Sequence, residues 1–264
     1  MINTQEKLQA AQEKINNLPD YEVYAMSLKE RVMYTLAAAC VIYLAAFIFY
    51  QSVIISLVVS FAALLYPKIR NKEIIEKRKN ELNLQFKDML YSLSSSLSAG
   101  KSVESSFKEV LKDLTIIYPD SNAFIIKEVE YIVRKIEMNE TIEKALEDFA
   151  ARSHLEDIEN FVDVFQTSKR SGGNIVDIIK NSSNIISDKI EVKEEIDTLL
   201  ASRKFEQKVL TCMPVLLILF LSLSTGDYMY PVFHDLRGRF VMTIALALII
   251  IAYFISKRVM NIKV

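Results

Sequence analysis

The chain has 264 residues, of which 51% are apolar, and its formal net charge at pH 7 is −1. Five glycines and five prolines are too few to punctuate a sheet-rich fold, so the composition excludes that class and favours an all-α protein. The two cysteines, Cys40 and Cys212, lie in charge-free runs, so neither a disulfide framework nor a thiolate metal site is expected.

The first 31 residues are polar and contain no early apolar core. A cleavable signal peptide needs such a core, so we expect none here. We predict that residues 1–31 form a cytoplasmic, amphipathic N-terminal segment.

The first charge-free run extends over 32–67 and contains no Asp, Glu, Lys or Arg. A bilayer favours such uncharged apolar helices and penalises ionised side chains. A single helix over this run would measure roughly 54 Å, against a hydrocarbon core of about 30 Å. We therefore predict a transmembrane hairpin over 32–67 that turns near Gln51 and Ser52. The alternative is one tilted helix with an interfacial extension.

The segment 68–208 has the amphipathic periodicity of a helical domain with a charged stem at its start. Lys68 to Glu81 form that stem, and the apolar spacing from Phe86 predicts a helix that ends at Gly100. Glycine accepts the left-handed conformation that commonly ends a helix.

Two more helices are predicted before residue 140. The second starts near Ser102 and ends before Pro119, because the residue before proline disfavours helix. The third starts at about Ser121 and ends at Asn139, a residue type that tolerates the left-handed conformation.

The remaining helices of this segment follow two turns. Thr141 is placed as the N-cap of the fourth helix, and the fifth runs over 155–169. Gly172 and Gly173 then form a tight turn, and Asn174 caps a long sixth helix that continues to the membrane at residue 209. These elements predict a cytoplasmic six-helix bundle within 68–208.

Two further charge-free runs, 209–226 and 240–256, predict a second transmembrane hairpin over 209–256 with a polar turn, followed by a cytoplasmic tail over 257–264. Basic residues flank the outer ends of both hairpins, which places both termini and the middle of the chain in the cytoplasm. The flanking residues are Lys29, Arg31, Lys68, Arg70, Lys72, Arg203, Lys204, Lys208, Lys257 and Arg258.

The residue types that carry most enzyme chemistry are scarce. The phosphate-binding pattern of spaced glycines followed by Lys and Ser or Thr does not occur, so ATP hydrolysis would need another protein. The two histidines, His154 and His234, fall in different regions and cannot form a metal pair within either one. We expect no enzyme activity, no cofactor and a structural role for His154.

Charge is uneven along the middle segment. Residues 103–165 contain 15 acidic and 7 basic side chains. This pattern would arise if the acidic residues only keep in water the end of the segment that lies far from the lipid. An acidic docking face for a basic cytoplasmic partner would give it too, and binding there should weaken as salt rises.

Several short blocks, in this order and spacing, resemble the type II secretion system F domain family over about residues 82–256. The blocks are Leu84–Leu90, Leu97–Ser102, Ile142–Leu146 with Phe149–Arg152, and Gly172–Ile175. A single F domain between two hairpins, with the tail Asp227–Phe233 and Gly238-Arg239, is similar to the TadB branch of the tight-adherence (Flp) type IV pilus system.

The resemblance implies a non-enzymatic inner-membrane platform that couples a cytoplasmic hexameric secretion ATPase to pilin extraction and pilus assembly. Its partners would be a TadC-like sister platform protein, the ATPase, pilin subunits and the lipid bilayer, in a homo- or hetero-oligomer without nucleic acid. The residues singled out as structural turns or partner contacts are Gly100, Arg152, Gly172, Gly173 and Asn174. Valine at Gly172 or Gly173 should abolish piliation. A membrane-anchored helical scaffold or signalling protein unrelated to pili is the alternative.

Overall fold

A computed structural model describes residues 18–120, 122–224 and 226–260. Their regular structure is entirely helical, which confirms the all-α prediction. The elements are α1 Leu28–Tyr50, α2 Val53–Ser60, a 3₁₀ helix Phe61–Leu65, α3 Tyr66–Ser98, α4 Val103–Ile117, α5 Phe124–Glu137, α6 Ile142–Ser153, α7 Glu156–Ser171, α8 Ile175–Ser224, α9 Gly226–His234 and α10 Leu236–Met260.

The described residues form two compact units. The first contains 18–25 and Lys72–Glu191, and the second contains Met26–Asn71 and 192–260. Helices α3 and α8 each contribute residues to both units. The predicted membrane boundaries at 32–67, 68–208, 209–256 and 257–264 stay predictions, and most of the segment 1–31 lies outside the described residues.

The first unit is built on apolar faces of α3 to α8. Phe86 of α3 is fully buried and makes edge-on ring contacts with Phe149 of α6 and Phe161 of α7 at 6.0 and 5.5 Å. Such aromatic pairs contribute about 0.5–1.5 kcal/mol each beyond the burial of their area. The i, i+3, i+4 spacing that predicted these helices therefore marks the faces that pack together.

The helix ends of this unit follow local backbone chemistry. Gly100, Asn139 and Gly172 have φ angles of 82°, 62° and 72°, the left-handed conformation that ends a helix. The predictions for Gly100 and Asn139 are thus confirmed. His154 also has a positive φ of 48°, which the sequence analysis did not anticipate.

The helix starts agree in part with the predicted caps. Ser102 accepts a hydrogen bond from the Ser105 N–H at 3.3 Å, as an N-cap should. Thr141 occupies the N-cap position of α6, but its side chain makes no capping hydrogen bond. The third predicted helix begins later than expected, at Phe124, because Asp120 holds a turn by accepting the N–H groups of Asn122 and Ala123.

The second unit contains the helices that are long and apolar enough to cross a membrane. Four candidate spans occur in the described residues, Leu28–Tyr50, Val53–Ser98, Ile175–Ser224 and Leu236–Met260. Few side chains in their most apolar windows are buried by protein, so these helices present apolar surface outward. Together with the helical fold, this makes the chain a multi-pass membrane protein.

The first charge-free run breaks at the pair Gln51-Ser52. Helix α1 ends at Tyr50, Gln51 takes a φ of 44°, and α2 begins at Val53 and packs against α1. The side chains of this break also contact the later spans: Gln51 Nε2 donates to Ser222 Oγ at 2.5 Å, and the hydroxyls of Tyr50 and Thr243 hydrogen bond at 2.9 Å. The two pairs of spans thus meet at this point.

The connection between the last two spans differs from the predicted polar turn, because it contains the helix α9. Met229 and Phe233 of α9 are buried against Phe49 and Tyr50 of α1. Apolar residues four apart share one helix face, so packing favours a helix despite Pro231. Pro214 likewise lies inside α8 without ending it.

Candidate functional site

One carboxylate is fully buried in the first unit. Glu128 of α5 has no exposed side-chain surface and sits among the inner-face residues Ile125, Val129 and Ile132. A buried carboxylate needs a partner, because removing an ion from water costs several kcal/mol.

Arg152, from the last turn of α6, is that partner. Its Nη1 and Nη2 atoms donate to Oε1 and Oε2 of Glu128 at 2.7 and 2.6 Å. The same guanidinium lies over the ring of Tyr131, with its Cζ 5.0 Å from the ring centroid. The fork of arginine matches the two carboxylate oxygens, so the pair holds α5 and α6 in one relative position.

A segment that precedes the first span completes this cluster. Tyr21 is 2% exposed, donates its hydroxyl to Glu128 Oε1 at 3.0 Å and donates its backbone N–H to the Arg152 carbonyl at 3.0 Å. Its ring packs edge-on against Phe124 at 5.5 Å. We call residues 18–25 the N-terminal strap.

Burial governs the titration of this cluster. It raises the pKa of Glu128 above the ordinary range, against the opposing hydrogen bonds from Arg152 and Tyr21. Burial also raises the pKa of Tyr21, and the neighbouring carboxylate of Glu128 adds to that shift. Burial lowers the pKa of Arg152, but the hydrogen bonds to Glu128 outweigh it and leave that pKa raised.

Further side-chain contacts hold the rest of the strap. The ring nitrogens of His154 lie 3.2 Å from Asp20 and 3.3 Å from Glu22, and Arg78 lies over the ring of Tyr24 at 4.2 Å. Lys79 donates to the His154 carbonyl at 3.1 Å. His154 therefore ties the strap to the junction of α6 and α7, in line with its predicted structural role.

The predicted turn residues lie at the other end of this unit. Gly100, Gly172, Gly173 and Asn174 are all exposed. Ion pairs near these turns tie Lys101 to α4 and join neighbouring helices; they are Lys101–Glu109 at 3.5 Å, Lys108–Glu137 at 2.9 Å and Lys169–Glu143 at 2.9 Å. We call this region, with Asn139, the turn end.

The turn between α7 and α8 has a specific steric demand. A Cβ on Gly173 would clash with Ser168 Oγ, a buried atom that has no hydrogen-bond partner in the described part of the chain. No atom lies within 4 Å of a Cβ built on Gly172, so glycine is favoured there by the positive φ and not by lack of space. Asn174 caps α8 through Oδ1, which accepts the Val176 N–H at 3.1 Å, so this predicted cap is confirmed.

The singled-out residues thus fall into two places. Four lie at the turn end, whereas Arg152 is separated from that end by nearly the whole of α6, roughly 16 Å of helix. Sequence reasoning missed Glu128 and Tyr21. The sequence did contain a signal for Glu128, because this glutamate occupies a position on the apolar face of α5. A carboxylate on a buried face implies a buried partner.

Within 18–120, 122–224 and 226–260, no group of three or more His, Cys, Asp or Glu side chains is placed to hold a metal ion. Residues 85–223, more than half of the chain, match the family model described as Type II secretion system (T2SS), protein F. The chain belongs to this protein F family. No curated protein and no solved structure matches it significantly. The family predicted from the sequence blocks is confirmed.

Membership of the protein F family gives the general function of the chain. Protein F family members are inner-membrane platform proteins, rather than enzymes, of type II secretion and type IV pilus machines. They work with secretion ATPases and sister platform proteins. The protein F match begins in α3 and ends near the end of α8, so it includes the Glu128–Arg152 pair and both glycine turns.

Proposed function

We propose that this chain is a TadB-like platform protein of a tight-adherence (Flp) pilus system, and that it couples a cytoplasmic hexameric ATPase to extraction of pilin from the bilayer. The observation that carries the proposal is the arrangement of the chain. A single protein F match, 85–223, has one pair of candidate spans at its start and another at its end.

The proposed topology places both termini and the first unit in the cytoplasm. Basic residues flank the outer ends of both span pairs, whereas no Lys or Arg lies near Gln51. Helices α3 and α8 each contribute residues to both units, and we propose that they carry force from the cytoplasmic unit toward the spans. The chain itself would perform no chemistry.

The turn end is the surface that we propose for partner contact. Its four predicted residues are exposed, whereas Arg152 is already engaged by Glu128 inside the unit. Acidic residues outnumber basic ones over 103–165, and a basic ATPase surface that reached these residues beside the turn end would complement them. Binding there should therefore weaken as ionic strength rises.

Site-specific photocrosslinking tests both the partners and the surface. A photoreactive amino acid replaces Asn174 at the turn end or, as a matched control, the exposed Asn160 of α7. After irradiation of pilus-producing cells, we expect the ATPase to be captured from position 174 more strongly than from 160. A sister platform protein and pilin should co-purify with the full chain.

Two results would contradict the proposal. One is normal pilus yield in a strain that lacks this chain. The other is ATP hydrolysis by the purified chain alone, because a platform protein should depend on a separate ATPase.

A further inference from the structure

A cavity of about 400 Å³ lies in the second unit between the membrane part of α8 and helix α10. Its nine lining residues are Gln207, Leu210, Thr211, Pro214, Leu248, Ile249, Ala252, Tyr253 and Ser256. None of them is acidic. We call this space the α8–α10 cavity.

The lining changes character along the cavity. Gln207, Thr211 and Ser256 supply amide and hydroxyl groups at one end, and Pro214, Leu248 and Ile249 supply apolar surface at the other. The Nε2 of Gln207 is buried and donates to no acceptor among the residues that the structure describes. A buried donor without a partner is unfavourable, so this end of the cavity suits a ligand that accepts hydrogen bonds.

Basic residues follow the polar end of both walls. Residues three or four apart share a helix face, so Arg203 and Lys204 extend the wall of Gln207, and Lys257 extends the wall of Tyr253. Lys257 makes no ion pair with any residue that the structure describes. Arg203 and Lys204 pair with Glu206 and Asp197 at 3.0 and 2.6 Å, and both pairs are at the surface. Of these three cations, Lys257 is therefore the one that an added anion would meet without displacing an ion pair.

We infer that the α8–α10 cavity binds one anionic phospholipid of the phosphatidylglycerol class. Its phosphate accepts hydrogen bonds from Gln207 and Ser256 near Lys257, and the start of one acyl chain lies along Pro214 and Ile249. Basic pockets between spans are known to suit acidic headgroups. A partner helix fits less well, because its backbone acceptors are already used within the helix and would leave the Gln207 Nε2 donor unpaired.

The test uses the full chain reconstituted in vesicles of phosphatidylethanolamine and phosphatidylglycerol. A trace of photoactivatable phosphatidylglycerol or photoactivatable phosphatidylcholine is added, and labelled peptides are identified by mass spectrometry. We expect phosphatidylglycerol to label peptides that contain 207–214 and 248–256 in preference to the other spans. Phosphatidylcholine should label them weakly.

Three variants, two of them with a matched control, make the result specific. Ala252→Phe fills the cavity and should abolish the selective label, whereas Ala247→Phe, an exposed position on the same helix outside the cavity, should keep it. Lys257→Gln should reduce the label about fivefold, and Lys68→Gln should not. Gln207→Leu, which removes the unpaired donor without filling the cavity, should weaken it as well.

The inference is overturned if both lipids label all spans equally, or if Ala252→Phe leaves the selective label intact. It is also overturned if crosslinks from this cavity lead to a second copy of the chain or to another transmembrane helix.

Discussion

Glu128, Arg152 and Tyr21 are the residues whose chemistry is most constrained in this protein. The carboxylate is fully buried, whereas 22% of the Arg152 side chain remains exposed. Loss of the arginine would leave an uncompensated charge in the core, but loss of the glutamate would leave a guanidinium that still reaches water. The two halves of the pair are therefore unequal in their effect on stability.

We predict that Arg152→Met lowers the free energy of unfolding by about 3–5 kcal/mol, and that Glu128→Met lowers it by less. The double variant Glu128→Met/Arg152→Met should lie closer to the parent than Arg152→Met does, since no charge is left unpaired. Urea-dependent pulse proteolysis of the full chain in detergent measures these differences. Arg170→Met, at an exposed position, is the control. A coupled pair would be contradicted if both single variants lost the same free energy of unfolding and the double variant lost the sum of the two.

The Tyr21 hydroxyl is one of several contacts that hold the strap, and it can be removed by itself. In Tyr21→Phe, the bond to Glu128 is lost while the ring contact with Phe124 remains, so we predict a loss of about 1.5–3 kcal/mol in strap docking. Hydrogen exchange of the full chain should then be faster in peptides covering 18–25. Exchange should be unchanged in α4. Unaltered exchange at the Tyr21 amide would show that the hydroxyl does not hold the strap.

At the scale of elements, several helices of this chain end at a residue with positive φ, although the residue type differs from one helix to the next. Gln51, Gly100, Asn139, His154 and Gly172 all adopt positive φ where a helix stops. Only glycine adopts this conformation without steric cost, and asparagine tolerates it better than β-branched residues do. Valine at Gly172 would be strained by the backbone alone, whereas a side chain at Gly173 would meet Ser168.

The two adjacent glycines should therefore respond differently to substitution. Gly173→Ala should cost about 1–3 kcal/mol through overpacking against Ser168 Oγ. Adding Ser168→Ala should restore most of that stability, since the remaining Ser168 atoms lie at ordinary contact distance. The same addition should not rescue Gly172→Val. Thermal unfolding of the full chain and pilus yield are the two readouts. Rescue of both glycine variants by Ser168→Ala would refute the steric explanation.

At the scale of the whole molecule, four helices present apolar surface outward, as a membrane protein requires. The family match assigns the chain to the membrane platform proteins. Which side of the membrane each unit occupies is a separate matter that depends on the flanking charges. Basic residues resist transfer across the bilayer, and they cluster at the outer ends of both span pairs. This distribution gives a direct prediction about accessibility.

In a background with Cys40→Ser and Cys212→Ser, a membrane-impermeant maleimide should label Asp235→Cys but not Glu147→Cys. Intact cells, or spheroplasts where an outer membrane is present, serve for the measurement. After lysis both positions should react, because both are exposed in the structure. Labelling of Glu147→Cys before lysis would reverse the proposed orientation.

Local features of the sequence determined much of this protein. Transfer free energies add residue by residue, so charge-free runs located the apolar helices without knowledge of their neighbours. Backbone preferences are also local, which is why Gly100, Asn139 and Asn174 were correctly placed at helix ends. The blocks around these turns sufficed for the protein F family.

Only the tertiary structure decided which distant residues meet. Tyr21 and Glu128 are 107 positions apart, and Gln51 and Ser222 are 171 apart. Helix α9 likewise takes its form from packing of Met229 and Phe233 against α1, where the local sequence suggested a polar turn. Such pairings depend on how helices pack, and no property of either segment alone contains that information.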